Sequence, residues 1–218
     1  MLVALYASLF RIEKLDMTRP AQRLLTLSLS ILFAVALALI AFQENLGKIA
    51  TKEALILTGR AAFFVFLIPF FASPLRALFK TKFSALLIRW RRNAGIAYGG
   101  IMGVHLLILA WYFIISTSQP VDDDMLYIGG MGLLLVMGML ITSFDGPTKF
   151  LGRKNWKILH KSGFYICSLI YFYDFVLEPI ELGTSIDYAL FAAITLAAMA
   201  LRTIVMLKPK PTANQITT

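Results

Sequence analysis

The sequence predicts an all-α fold: an integral membrane bundle of six transmembrane helices with both termini on the cytoplasmic side. Three observations predict it. Of the 218 residues, 59% are apolar and the mean hydropathy is +0.76, well above the composition of a soluble domain. The apolar residues fall in six long blocks rather than in the short runs of a globular core. Basic residues are also segregated. All but Lys48, Lys52 and Arg60 of the 21 lie at the two chain ends or near the second and fourth connections between blocks, whereas nine of the 12 acids lie elsewhere.

The blocks run 24–42, 54–72, 94–116, 127–144, 158–176 and 187–206. An α-helix rising about 1.5 Å per residue needs about 20 residues to cross a hydrocarbon layer about 30 Å thick, and each block approaches that length. The first is uninterrupted. The second contains Pro69 and Arg60, so a kink is expected near its inner end and a guanidinium reaching for headgroups at its outer end. The third carries Gly95, Gly99 and Gly103 at four-residue spacing, and the fourth opens with Gly129, Gly130 and Gly132. Such stripes let two helix backbones approach closely. On an ideal wheel Gly103 faces about 160° away from His105, so the stripe is expected to pack a neighbouring helix. The fifth and sixth blocks complete one membrane domain, 24–206. Before it, residues 1–23 form a cytoplasmic or interfacial segment whose first ten, MLVALYASLF, are too short to span, lack the basic start of a signal peptide, and read as an interfacial helix on the inner leaflet. Residues 207–218, LKPKPTANQITT, read as a mobile cytoplasmic tail.

A net charge of +9 would suggest nucleic acid as the partner of a soluble protein, but here its distribution reads as topology. The partner expected is membrane lipid, and no nucleic acid. The positive-inside rule places the termini and the segments around Arg89–Arg92 and Arg153–Lys161 in the cytoplasm, and the acidic connections, including Asp122, Asp123 and Asp124, on the other side. This fits a multi-pass integral membrane protein. Cys167 is the only cysteine, so no intrachain disulfide forms; mid-helix and among apolar residues, it reads as packing. The sequence has no Gly-rich phosphate loop after a strand, no metal-spaced Cys/His cluster and no nucleophile elbow. With no soluble domain for a nucleotide, any reductant comes from a partner protein or from the lipid phase.

Both histidines fall within predicted helices, His105 in the third and His160 near the start of the fifth. Ionisable residues inside a membrane are rare enough to be functional candidates, and histidine is the usual axial ligand of a b-type haem. Each could instead hydrogen-bond a neighbouring helix. His105 is 13 residues past Arg92, about 20 Å from the inner boundary, while His160 is about 3 Å in. An offset near 15 Å argues against one haem held between the two. Level with His105 on the fifth helix are Tyr171, Phe172 and Tyr173, with Asp174 just beyond. A tyrosinate can ligate haem iron, or Tyr171, Tyr173 and Tyr127 form an aromatic belt at the outer interface. Arg89, Arg91 and Arg92 can hold propionates or lipid phosphates, dock an acidic partner, or serve as topology determinants alone.

In order, Thr58-Gly59, Ser73-Pro74-Leu75-Arg76 closing the second helix, Arg91-Arg92 with Gly95, His105-Leu106-Leu107, Thr142-Ser143, Leu151-Gly152-Arg153, Trp156 and Leu159-His160-Lys161 resemble a known pattern. It is that of the ferric reductase-like transmembrane domain family, and within it the haem-binding membrane subunit of the bacterial periplasmic methionine sulfoxide reductase system. The resemblance runs from about Leu57 to Phe175. It implies an oxidoreductase-type electron-transfer subunit with b-type haem, passing electrons from quinol or a flavin reductase to a soluble periplasmic oxidoreductase, and it leaves room for FMN. By position, His105 and His160 match two of the family's three characteristic histidines, with Arg91 and Arg92 beside the cofactor. The third position holds Tyr173. Either Tyr173 ligates, or haem is held by His105 alone, or the chain is a haem-free scaffold or assembly subunit that keeps the fold. A small-solute transporter would need a pair of broken helices in corresponding halves, which the sequence lacks.

Overall fold

The structure, a computed structural model, describes residues 17–43, 45–115, 129–177, 179 and 188–207. The ten residues expected to lie at the interface, Tyr127, the Asp122–Asp124 run and the tail after Leu207 lie outside them, while Arg19–Arg23 of the expected N-terminal segment already belong to the first helix. Among the described residues there are six α-helices and no strand: α1 (Arg19–Ala41), α2 (Lys48–Leu78), α3 (Lys82–Ile115), α4 (Gly130–Ile141), α5 (Asp145–Phe172) and α6 (Ala189–Leu207). A π-helical turn, Tyr173–Leu177, continues α5. By length and composition α1, α2, α3 and α6 can each cross a membrane, whereas α4 with α5 and the π turn, bent by 109°, is long and apolar enough only as a pair, a broken span or a re-entrant loop, so that four or five spans are counted among the described residues where the sequence predicts six.

Helices α1, α2 and α3 pack most closely. The buried face of α1 is Arg23, Thr26, Ser30, Ala34 and Ala38, a stripe of mostly small side chains that lets α3 approach. Thr26 and Ser30 donate their hydroxyl protons to Gln22 O and Leu27 O, both at 2.8 Å, so neither leaves a buried donor unpaired. The opposite face, with Leu24, Leu32 and Leu39 about 60% exposed, is the surface a bilayer would cover. The expected glycine stripe on α3 divides. A Cβ at Gly99 would meet Leu140 of α4 and one at Gly100 would meet Ser30 and Leu27 of α1, while Gly95 and Gly103 face open space. The close approach is therefore at Gly100, off the four-residue stripe. Gly100→Ala is expected to cost about 1–3 kcal/mol by overpacking, read as a lowered unfolding midpoint in detergent, with Ser30→Gly restoring part of it; an unchanged midpoint would contradict this packing.

The second helix does not end at Ser73-Pro74-Leu75-Arg76 but runs to Leu78, with Pro69 and Pro74 inside it. A proline lacks the N–H that would bond the carbonyl four residues back. For Pro74 that carbonyl is Phe70 O, and Arg202 Nη1 of α6 donates to it at 3.3 Å. Helix α5 likewise starts earlier than expected. It breaks at Gly152, φ 76 and ψ 154, a backbone region open essentially to glycine, so that a short polar helix turns into the long one carrying His160.

The bend between α4 and α5 is held from outside. Arg92 Nε donates to Ser143 O at 2.8 Å and Trp156 Nε1 to Thr142 O at 2.9 Å, satisfying carbonyls a helix end leaves open. Asp145 joins Arg23 of α1 (2.6 Å) and Arg92 of α3 (3.1 Å). The close contact with the Arg23 guanidinium holds its carboxyl below the usual carboxylate range, against a smaller upward push from desolvation and with further help from Arg92. A depressed folded pKa means stabilisation that is present above the unfolded value, about 3.9, and is lost as pH falls through the folded one. The midpoint of the wild-type chain should therefore fall more steeply below about pH 4 than that of Asp145→Asn; parallel curves would refute the contribution of this clasp.

Candidate functional site

Two cavities lie along the seam between α3 and the α4–α5 arm, and each contains one histidine. The first, of about 360 Å³, is lined by Arg91, Arg92, Gly95, Ser143, Arg153, Trp156, His160 and Phe164. The second, of about 370 Å³, is lined by Gly59, Arg60, Met102, His105, Gly132, Tyr171, Tyr173, Asp174 and Tyr188. Tyr98 and Val136 contribute to both walls. The two histidines thus stand at separate places, as the depth difference in the sequence anticipates. The structure brings Tyr173 together with His105, and Arg91 and Arg92 together with His160.

Each imidazole is fixed by a threonine. Thr58, fully buried, donates its hydroxyl proton to Ala54 O at 2.7 Å, and its oxygen lies 2.9 Å from His105 Nδ1. A hydroxyl has one proton, so with that proton on a carbonyl it accepts from Nδ1–H. His105 then carries its proton on Nδ1 and a free lone pair on Nε2, the tautomer a metal ligand needs. Gly59 lies against the ring, where a Cβ would make an ordinary van der Waals contact, 3.6 Å from Cε1. In the other cavity Thr142 donates to Gly138 O at 2.8 Å and accepts, at 3.1 Å, from His160 Nε2. The tautomer is reversed, and the nitrogen that usually meets iron is engaged. The imidazole of His160 also stacks on Trp156, with centroids 4.3 Å apart at 29°.

The second cavity has polar atoms without partners. Tyr171 is 7% exposed and its hydroxyl meets no group with hydrogen-bonding geometry, although Tyr98 and Cys167 are its polar neighbours. It stacks on Phe175 and meets Phe63 edge-on, so it belongs to the aromatic core and not to an interfacial belt. Arg60 also departs from expectation. Its guanidinium turns inward, with Cζ 5.1 Å from the Phe191 ring and 5.5 Å from that of Tyr188, and its Nε is buried without a partner. A cation held over aromatic faces in an apolar wall favours an anion beside it.

This donor set suits a macrocycle better than a bare ion. Among the described residues no three His, Cys, Asp or Glu side chains converge on one point, whereas a porphyrin brings four nitrogens and asks for an axial one. In the second cavity, His105 Nε2, the apolar walls, the unpartnered phenol of Tyr171 and the unpartnered edge of Arg60 match an axial position, a flat apolar body and anionic side arms. In the first cavity the match is poorer, because His160 is tied back by Thr142 and Trp156. Its features are three arginines and an aromatic shelf. Sequence reasoning reached the histidines, Tyr173 and the arginines. It passed over Thr58, Thr142 and Trp156 as binding-site residues, because only their spatial partners give them a role.

The chain resembles two curated haem-binding subunits. Over 134 residues it is 25% identical to the "Protein-methionine-sulfoxide reductase heme-binding subunit MsrQ" of Polaromonas naphthalenivorans (strain CJ2), covering 59% of this chain and 60% of that one. Over 146 residues it is 27% identical to the protein of the same name from Azospira oryzae, covering 64% and 61%. The chain thus spans about three-fifths of the length of the curated relatives it matches. No protein-family model matches it, and no solved structure does. The likeness supports the family suggested by the motifs, and with the apolar helices it supports an integral, multi-pass membrane protein.

Proposed function

We propose that this chain is a membrane electron-transfer subunit that carries b-type haem in the cavity of His105. The observation that carries the reading is the Thr58–His105 hydrogen bond, which leaves Nε2 of a cavity-lining imidazole as a free donor. Support also comes from the two relatives, each named a heme-binding subunit. Haem supplies a one-electron carrier when bound. The residues of this chain would do the rest: His105 would hold the group through its Nε2, Thr58 fixes the tautomer that frees that nitrogen, Arg60 would neutralise an anionic side arm, and Tyr171 would offer a hydrogen bond. Tyr173 shares the cavity and stands where the family has its third histidine. The proposed topology is six spans over 24–206, with α4 and α5 crossing separately and both termini cytoplasmic. The His160 cavity then lies towards the cytoplasm and is the entry for electrons from a quinol or a flavin reductase. The acceptor is a soluble oxidoreductase on the outer side.

A haem-free scaffold is the second reading, and the observation that favours it is the absence of a second histidine beside His105. Spectra of the purified chain, oxidised and dithionite-reduced, with haem quantified per chain, decide between them. The expected result is a Soret band that shifts on reduction and survives His160→Ala, since Nε2 of that ring is engaged by Thr142. A colourless protein after expression with ample haem would leave the scaffold reading, and haem loss in His160→Ala alone would place the cofactor in the wrong cavity.

A further inference from the structure

We propose that Arg91 and Arg202 form a binding site for the head group of an anionic phospholipid, at the ends of α2 and α6 that carry their carboxyl termini. The argument begins with Pro74. Because that residue gives no N–H to Phe70 O, Arg202 fills the gap, and its guanidinium is held with Cζ 4.5 Å from the Phe70 ring and 4.7 Å from the Tyr165 ring. Arg91 is held in the same way one turn further along the same groove. Its Nη1 donates to Ser73 Oγ at 2.9 Å and its Cζ lies 5.6 Å from the Phe164 ring. Phe70 and Ser73 are three residues apart and so share a face of α2, and Phe164 and Tyr165 are neighbours on α5. The two cations therefore sit side by side over the α2–α5 groove, near enough for their charges to oppose one another.

Among the described residues no carboxylate forms an ion pair with either of them; Asp145 is engaged by Arg23 and Arg92. Each guanidinium has five N–H groups, and the contacts above engage one on each. Two fixed like charges over an apolar groove, with donors to spare, call for a shared anion, and a phosphate diester accepts from both. The surroundings select a lipid over a free ion. Beyond Tyr165 on α5, on the way from the pair into the membrane, Ile166 and Leu169 are 42% and 56% exposed, a course for acyl chains that inorganic phosphate would not use. Basic pockets between transmembrane helices are known as sites of this kind. Helix α6 has the most to gain, because only 17% of its apolar stretch is buried by protein.

The site stands apart from the haem proposal, and its test can fail independently. The full chain, purified in mild detergent and stripped of lipid, is unfolded by heat with added phosphatidylglycerol, phosphatidylcholine or inorganic phosphate at equal phosphate concentration, and retained lipid is counted by native mass spectrometry. Phosphatidylglycerol should raise the midpoint by about 5 °C at saturation, with no comparable shift from the other two. Arg202→Gln should lose most of that shift, and Arg202→Lys, which keeps the charge, should retain part. Should neither variant fold, the wild-type comparison of the three additives still decides. Equal shifts from both lipids, a shift reproduced by inorganic phosphate, or a full shift in Arg202→Gln would each overturn the site. So would a fall in haem per chain in Arg202→Gln with the lipid response intact, which would give the anion to the cofactor instead.

Discussion

Replacing His105 by alanine should remove haem from the purified protein while leaving the helices in place. The side chain is half-buried and supplies the free Nε2 of its cavity. Without it, the other potential ligands lining the cavity are the sulfurs of Met102 and Cys167 and oxygens such as those of Tyr171, Tyr173 and Asp174, none of them an imidazole. Haem per chain should fall to less than a tenth of the wild-type value, as loss of an axial bond worth more than about 1.4 kcal/mol requires. Far-UV circular dichroism should not change. Free imidazole added to the variant should restore part of the Soret band, because the cavity that Ala leaves is the shape of the lost ring. Unchanged haem content in the variant would remove His105 from the iron. The wild-type spectrum carries a second expectation: with one histidine in the cavity it should be broad and high-spin, whereas a sharp low-spin spectrum would bring in a second strong-field ligand, for which the sulfur of Met102 is the candidate in the same wall.

The architecture was legible where a single segment decides its own fate. Long apolar runs made α1 to α3 and α6 readable as membrane-length helices, and the spacing between Arg92, His105 and His160 was enough to separate the histidines. What the sequence concealed was decided by partners far along the chain. Ser73-Pro74-Leu75-Arg76 suggests an end to α2, yet the helix runs on to Leu78, and Arg202, 132 residues away from Phe70, satisfies the carbonyl that Pro74 leaves open. Arg60 reads as a snorkelling cation until Tyr188 and Phe191 turn it inward. Glycine spacing named Gly95 and Gly103 alongside Gly99, but the tightest approach to α1 is at Gly100, since what matters is where Ser30 falls across the interface. The candidate site shows the same division. Histidines announce themselves by rarity, whereas their tautomers are set by Thr58 and Thr142, residues that in sequence are ordinary helix threonines.

That dependence makes Thr58→Val the most informative conservative change in the protein. Valine keeps the β-branched shape and the helix preference of threonine, and removes the oxygen that accepts from His105 Nδ1–H. The N–H is left without a partner in a buried position, a loss of about 1–3 kcal/mol, and the ring is free to turn or to move its proton to Nε2. Either movement spoils the ligand. Groups that orient a metal-bound histidine in this way typically change metal affinity 10–100-fold, so haem retention in Thr58→Val should weaken by about that factor. A hydrogen bond accepted from Nδ1–H also makes the imidazole a stronger donor, which favours the oxidised iron. Its loss should therefore raise the midpoint potential of whatever haem remains. Thr58→Ser keeps the hydroxyl and should restore both affinity and potential, which a general packing defect would not allow. Equal haem affinity and potential in Thr58→Val and wild type would mean that the 2.9 Å contact serves helix packing alone, and that the case for His105 as a prepared ligand rests on its position in the cavity.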